Sequence, residues 1–165
     1  MVYYYKSERD RTAVAIDESV KIRKIHPTIT IDRKKEMAIG PFMYCYLEFM
    51  TMLRNGVNRV FTEYQIIVNG QVASKAVIMS KVPIYKFMPR NGLHLGFCFT
   101  EAGFRGMGYY PLLLKYIQNQ YIDKDIYMIV DEENIPSIKG IEKAGFKKFG
   151  FGIKEGKQFI LKNYV

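Results

Sequence analysis

The sequence predicts an α/β (α+β) domain: a mixed, mostly antiparallel sheet with helices on both faces, spanning residues 1–165 as one unit. Two observations carry this prediction. Two β-rich runs, Val60–Val68 and Gln71–Val82, are joined by Asn69-Gly70, a pair suited to the positive φ angles of a tight hairpin turn. Further along, short apolar runs of strand length alternate with longer runs of helical period, giving strand–helix–strand–helix–strand.

Taken in order, the first third has the weakest pattern. Ala13–Ile16 and Val20–Ile25 have strand character, and Thr28–Ile31 alternates Thr and Ile before the charged run Asp32–Glu36. Gly40-Pro41 then opens Phe42–Leu53, a dense apolar run expected to form a mostly buried helix, closed by Asn55-Gly56. After the hairpin, Leu93–Thr100 alternates as a strand, with Leu93, Leu95, Phe97 and Phe99 on one side and His94, Gly96, Cys98 and Thr100 on the other. Tyr109–Ile122 reads as a helix that tolerates Pro111 in its first turn. Ile126–Val130 is a short buried strand, and Ile135–Ala144 is a helix stopped by Gly145. Lys147–Ile153 and Gln158–Leu161 form a last hairpin around Glu155-Gly156. No linker or repeat interrupts the chain, so one domain is expected.

Composition narrows the function classes without choosing one. The chain carries 25 basic and 16 acidic residues, a formal charge of +9, which suits a polyanionic partner such as a phosphorylated small molecule, an acidic surface or nucleic acid. No nucleic-acid motif accompanies the charge, and the basic residues are interspersed with acidic ones, which argues against a nucleic-acid partner. The 13 Tyr and 11 Phe, with no Trp, fit rings at a wet cleft or a bias of composition equally well. Cys45 and Cys98 have no Cys or His at metal-ligand spacing and read as small core hydrophobes, so no metal is expected. The N-terminus lacks an apolar signal core, and no run approaches the roughly 20 apolar residues that span a bilayer. A cytoplasmic protein with reduced thiols, and without a membrane partner, is expected.

The chemistry-bearing segment is Phe104-Arg105-Gly106-Met107-Gly108-Tyr109-Tyr110, between a strand and a helix. The first turn of a helix leaves main-chain N–H groups unpaired at the positive end of its dipole, which makes an anion site. Gly106 and Gly108 present no Cβ to an approaching phosphate. The segment is neither a P-loop nor a dinucleotide fingerprint, since it lacks Gly-Lys-Ser/Thr and the longer glycine spacing.

From Val60 to the C-terminus the arrangement resembles the GCN5-related N-acetyltransferase (GNAT) family. The family's Arg/Gln-x-x-Gly-x-Gly/Ala motif is matched by Arg105–Tyr110, and Asn134, Ser137 and Ala144-Gly145-Phe146 stand where the family has an Asn, a small residue and a closing Gly-Phe. The resemblance implies acetyl-CoA as acyl donor. It implies that the main-chain N–H groups of Arg105, Gly106, Met107, Gly108, Tyr109 and Tyr110 hold the pyrophosphate, and that the strand edge at Phe99 and Thr100 pairs with the pantetheine amides. Asn134 and Ser137 would line the pantetheine arm, and a helix cap accounts for Asn134 as well. Lys139 and Lys143, one turn apart, fit a solvated face better than a phosphate contact.

Two departures from the family pattern stand out. The last small residue of the motif is Tyr110, and the tyrosine that often protonates the leaving thiolate is replaced by Ile141. Direct transfer to a primary amine of a small molecule or a protein also needs a base. The strand that often supplies a Glu offers only His94, with Glu63 a weaker candidate on the hairpin. A non-catalytic acyl-CoA-binding module of the same fold is the alternative, and a homodimer is left open.

Overall fold

The computed structural model describes residues 1–8, 15–25, 45, 46, 49, 50, 53, 60–156 and 158–164. Its strands are β1 (Val2–Ser7), β2 (Val20–Ile25), β3 (Phe61–Val68), β4 (Gln71–Ser80), β5 (Leu93–Thr100), β6 (Ile126–Asp131), β7 (Phe146–Glu155) and β8 (Gln158–Tyr164). Helix α1 (Tyr109–Gln120) lies between β5 and β6, and α2 (Ile135–Lys143) between β6 and β7. The strands form one eight-stranded sheet in the order β2-β3-β4-β5-β6-β1-β7-β8.

The β3–β4 hairpin turns at Asn69 (φ 50°) and Gly70 (φ 79°), with Val68 opposite Gln71. Both turn residues sit in the left-handed region that an Asn-Gly pair occupies at low cost. Neighbouring strands are antiparallel except β5 and β6, which run parallel through only two pairs, Leu93 with Ile126 and His94 with Tyr127. Beyond His94 the two strands diverge, so among the described residues the later part of β5 pairs with no strand on that side.

β5 does not keep the alternation expected from its sequence. Its register against β4 shifts between Lys75 and Val77, and Phe97 has φ 50°, a left-handed conformation at a bulky residue. One extra residue reverses the later side chains. Leu95 and Cys98 therefore pack toward the same core, while Phe97 and Phe99 are exposed.

Two clusters cover the two faces of the sheet. Leu113, Leu114 and Ile117 of α1, with Ile141 of α2, pack on Tyr64, Ile78, Leu95 and Phe146, all fully buried or nearly so. Burying each such aliphatic side chain contributes about 2 kcal/mol. The opposite face carries Phe61, Val77, Met79 and Tyr127 under the segment 81–92, whose Val82, Tyr85 and Met88 are buried there. Helical Met50 packs against this second cluster, so helical residues meet both faces.

The N-terminal third departs most from the sequence reading. β1 was not expected, yet it lies between β6 and β7, with Tyr4 and Tyr5 fully buried on opposite faces. A strand buried on both faces has no polar alternation to read. Among the described residues of the expected buried helix at 42–53, Cys45, Tyr46, Phe49 and Leu53 are exposed, and Met50 packs on the second cluster. An apolar run fixes neither which face turns inward nor how much of it is covered. Cys45 is thus not a core residue. Ala15 and Ile16 form no strand, and Ala13, Val14 and Thr28–Ile31 fall outside the described residues.

Candidate functional site

The end of β5 leads through a short 3-10 turn, Ala102–Phe104, into the loop that starts α1. Gly106 (φ 80°) and Gly108 (φ 83°) hold left-handed conformations, and Gly108 caps the helix. A Cβ at either glycine would meet nothing within 4 Å, so conformation rather than crowding demands glycine here. The first helical bond runs from Leu112 N–H to Gly108 C=O, 3.1 Å, and Pro111 has no N–H. Among the described residues the N–H groups of Gly106 through Tyr110 donate to no carbonyl or side chain. Five donors therefore converge at the positive end of α1.

These donors open on a cleft of about 600 Å³ between the end of β5, the loop and the N-terminal half of α2. Arg105, Lys139 and Lys143 line it, and among the described residues no carboxylate does. Three cations and unpaired N–H groups give this wall positive charge and free donors together. Lys139 and Lys143, expected on a solvated face, stand at its rim.

The strand edge contributes main-chain groups. Glu101 N–H donates to Ala73 C=O at 3.0 Å and Phe99 pairs with Lys75, so the Phe99 main-chain groups face β4. By alternation, those of Cys98 and Thr100 face the opening. Arg105 Nε donates to Thr100 C=O at 3.2 Å, from the side away from β4. The residues with open main-chain groups are therefore Cys98 and Thr100, rather than Phe99 and Thr100.

On α2, Asn134 caps the helix by accepting from Ser137 N–H at 3.2 Å through Oδ1. Its amide nitrogen has no partner among the described residues. Ser137 Oγ lies 3.1 Å from the Tyr110 hydroxyl, which also hydrogen-bonds with Cys98. Burial pushes the Cys98 thiol up to about 12, so it is a thiol at neutral pH. Of the ten residues expected to hold the cofactor, Phe99, Thr100, Arg105, Gly106, Gly108, Tyr109, Tyr110, Asn134 and Ser137 line the cleft. Met107 is 60% exposed and its side chain lies outside the lining.

The two expected bases are elsewhere. His94 is 5% exposed, stacked on Tyr85 at 4.0 Å, on the opposite face of the sheet. Gly96 leaves room for it, since a Cβ there would sit 2.5 Å from His94 Cε1. Burial lowers its pKa to about 3, which makes it a poor base. Glu63 is fully buried on β3 and accepts from Gln65 Nε2 at 2.7 Å. Neither side chain lines the cleft, and no sequence signal marks this, because both positions look ordinary in an alternating strand.

This topology defines a fold class: an antiparallel sheet opened by one short parallel pair. Solved structures of GNAT acetyltransferases share it. A GCN5-related N-acetyltransferase from Sphaerobacter thermophilus matches with TM-score 0.61 and 12% identity, covering 89% of this chain and 48% of that one. A GNAT acetyltransferase from Colwellia psychrerythraea matches at 0.57 and 12%, covering 89% and 52%. A tandem GNAT protein from the clavulanic acid biosynthesis pathway matches at 0.55 and 17%, covering 89% and 50%. The chain spans about half the length of these solved chains. No family model and no curated protein matches it. The chain has the GNAT fold.

Proposed function

We propose that this protein is an acyl-CoA-dependent N-acetyltransferase that passes an acetyl group from acetyl-CoA directly to a primary amine, on a small molecule or a protein. The observation that carries this reading is the set of unpaired N–H groups of Gly106, Gly108, Tyr109 and Tyr110 at a cleft whose charged lining residues, among those described, are all basic. A coenzyme A pyrophosphate matches that charge and donor geometry. Its arm would run along the open edge of β5, pairing amides with Cys98 and Thr100 as a strand pairs with an edge. Asn134 Nδ2 and Ser137 face the same channel from α2.

The chemical step needs a neutral amine, a polarised thioester carbonyl and a proton for the thiolate. A main-chain N–H at the β5 bulge polarises the carbonyl without any particular side chain. With His94 and Glu63 off the cleft, the amine's proton passes to water, the new C–N bond expels the thiolate as the C–S bond breaks, and water returns a proton to the sulfur; positioning supplies most of the rate. A second reading, a non-catalytic acyl-CoA-binding module, is favoured by one observation: among the described residues no carboxylate or histidine lines the cleft.

Thermal unfolding with and without acetyl-CoA tests the reading, on the parent, on Gly108→Glu and on Lys139→Glu/Lys143→Glu. Ligand at 100-fold its Kd should stabilise the parent by about 2.7 kcal/mol. The charge-reversed variants should show little or none of that gain. The double lysine variant keeps the loop glycines, so it still informs if Gly108→Glu fails to fold. A folded parent that gains nothing from acetyl-CoA would remove both readings. Thiol release with a panel of primary amines then separates enzyme from binder.

A further inference from the structure

Tyr110 sits where the chain first turns into α1. The edge of its ring lies against α2 at Gly140, where an added Cβ would collide with Tyr110 Cδ1 and lie 2.6 Å from Cε1. Gly140 is therefore the residue that lets the ring lodge between the two helices. The hydroxyl passes beyond that contact, to Ser137 Oγ at 3.1 Å on α2 and to Cys98 on β5. Cys98, Tyr110, Ser137 and Gly140 all line the cleft. One phenol thus joins the three walls of the channel.

Packing alone would be served by phenylalanine, so the hydroxyl needs its own account. Its partners in the cleft wall are weak or adaptable: a thiol accepts poorly, and a serine hydroxyl rotates freely between donating and accepting. Burial holds the phenol protonated well above its ordinary range, so it remains a donor at neutral pH. Its place is between the N–H groups of the loop and the open main-chain edge at Cys98 and Thr100. Any ligand with phosphates at the loop and an arm along β5 must pass it.

We propose that Tyr110 is a specificity residue whose hydroxyl turns from Ser137 to an amide carbonyl on the arm of a bound coenzyme A thioester. This rests on the coenzyme reading above. The residue reads the arm rather than the nucleotide: a ligand with phosphates and no amide arm gives its hydroxyl nothing to bond. Gly140 is the matching positioning residue, because it sets where the ring lies.

Calorimetric titration of the full chain with coenzyme A, and separately with adenosine 3′,5′-bisphosphate, tests the assignment on the parent, Tyr110→Phe and Gly140→Ala. Tyr110→Phe removes one oxygen and keeps the ring. It should weaken coenzyme A about five-fold, the worth of one net hydrogen bond, and leave the bisphosphate within two-fold. Gly140→Ala keeps every donor but displaces the ring, and should lower the same affinity ratio. If Tyr110→Phe leaves the ratio unchanged, the Tyr110 assignment is overturned while the coenzyme site stands. Equal weakening of both ligands overturns it too, because that marks a general loss of the cleft. A parent that binds neither ligand overturns the coenzyme reading, and this inference with it. Should Tyr110→Phe fail to fold, the ratio measured on Gly140→Ala decides alone.

Discussion

The two faces of the sheet treat their polar groups in opposite ways. On the face toward α1 and α2, donors of the loop and of Asn134 have no partner among the described residues and stand at an open cleft beside three cations. On the other face, His94 is stacked under Tyr85 and Tyr4 is fully buried, with the Tyr4 hydroxyl and His94 Nδ1 unpaired in a packed aromatic layer. An unpaired group in a cationic cleft is available to a ligand. An unpaired group in a tight core is a cost that packing offsets. Residue type alone would have favoured His94 as the chemical group, and surroundings reverse that choice.

The largest effect should come from crowding the aromatic face. A Cβ at Gly152 would collide with the Ile160 carbonyl and lie 2.8 Å from Tyr4 Cε2. Gly152→Ala should therefore destabilise by about 3 kcal/mol in denaturant unfolding. A loss under about 0.5 kcal/mol would mean that this face is more loosely packed than the cleft face.

Next comes the pH dependence of the buried imidazole. His94 has a folded pKa of about 3 against an unfolded value near 6.5, so the unfolded chain binds the proton first as pH falls. The stability of the neutral form is full above pH 6.5 and declines below it, down to the folded value. Between pH 6.5 and 4.5 this one group should remove about 2 kcal/mol, a slope that His94→Phe lacks. Parallel slopes in parent and variant would place the imidazole in contact with water and reopen its role as a base.

A smaller effect is expected where the cleft-side core meets α2. The Tyr5 hydroxyl donates to Glu142 Oε1 at 2.9 Å across 137 residues of chain. Tyr5→Phe should cost about 1 kcal/mol, with coenzyme A affinity unchanged. A change in affinity would show that the cleft depends on this tether.

The smallest effect, and the one of opposite sign, lies at the boundary of the two faces. Phe97 has φ 50° and is 36% exposed. Relief of left-handed strain outweighs glycine's extra unfolded entropy, so Phe97→Gly should stabilise by about 0.5 kcal/mol. Destabilisation would show that the exposed ring packs more than its surface suggests.

Much of the fold was legible because it depends on local chemistry. Asn69-Gly70 specifies its turn through allowed φ angles, Gly145 (φ 88°) stops α2, and Gly106 and Gly108 mark a loop that only glycine enters easily. The order of elements from Val60 onward, and the left-handed glycine loop at the start of α1, follow from such signals. They are written in the sequence because each concerns a residue and its immediate neighbours.

What only the tertiary structure decided involves partners far apart in the chain. β1 enters the middle of the sheet because Tyr4 and Tyr5 find cores on opposite faces, which no alternation announces. The bulge at Phe97 reverses the end of β5, bringing Cys98 to the cleft wall and turning the Phe99 main chain toward β4. Lys139 and Lys143 become cleft residues, and His94 and Glu63 are buried away from the cleft, through the way the helices and strands pack. Side-chain chemistry is local, whereas exposure and facing are set by what the rest of the chain places alongside.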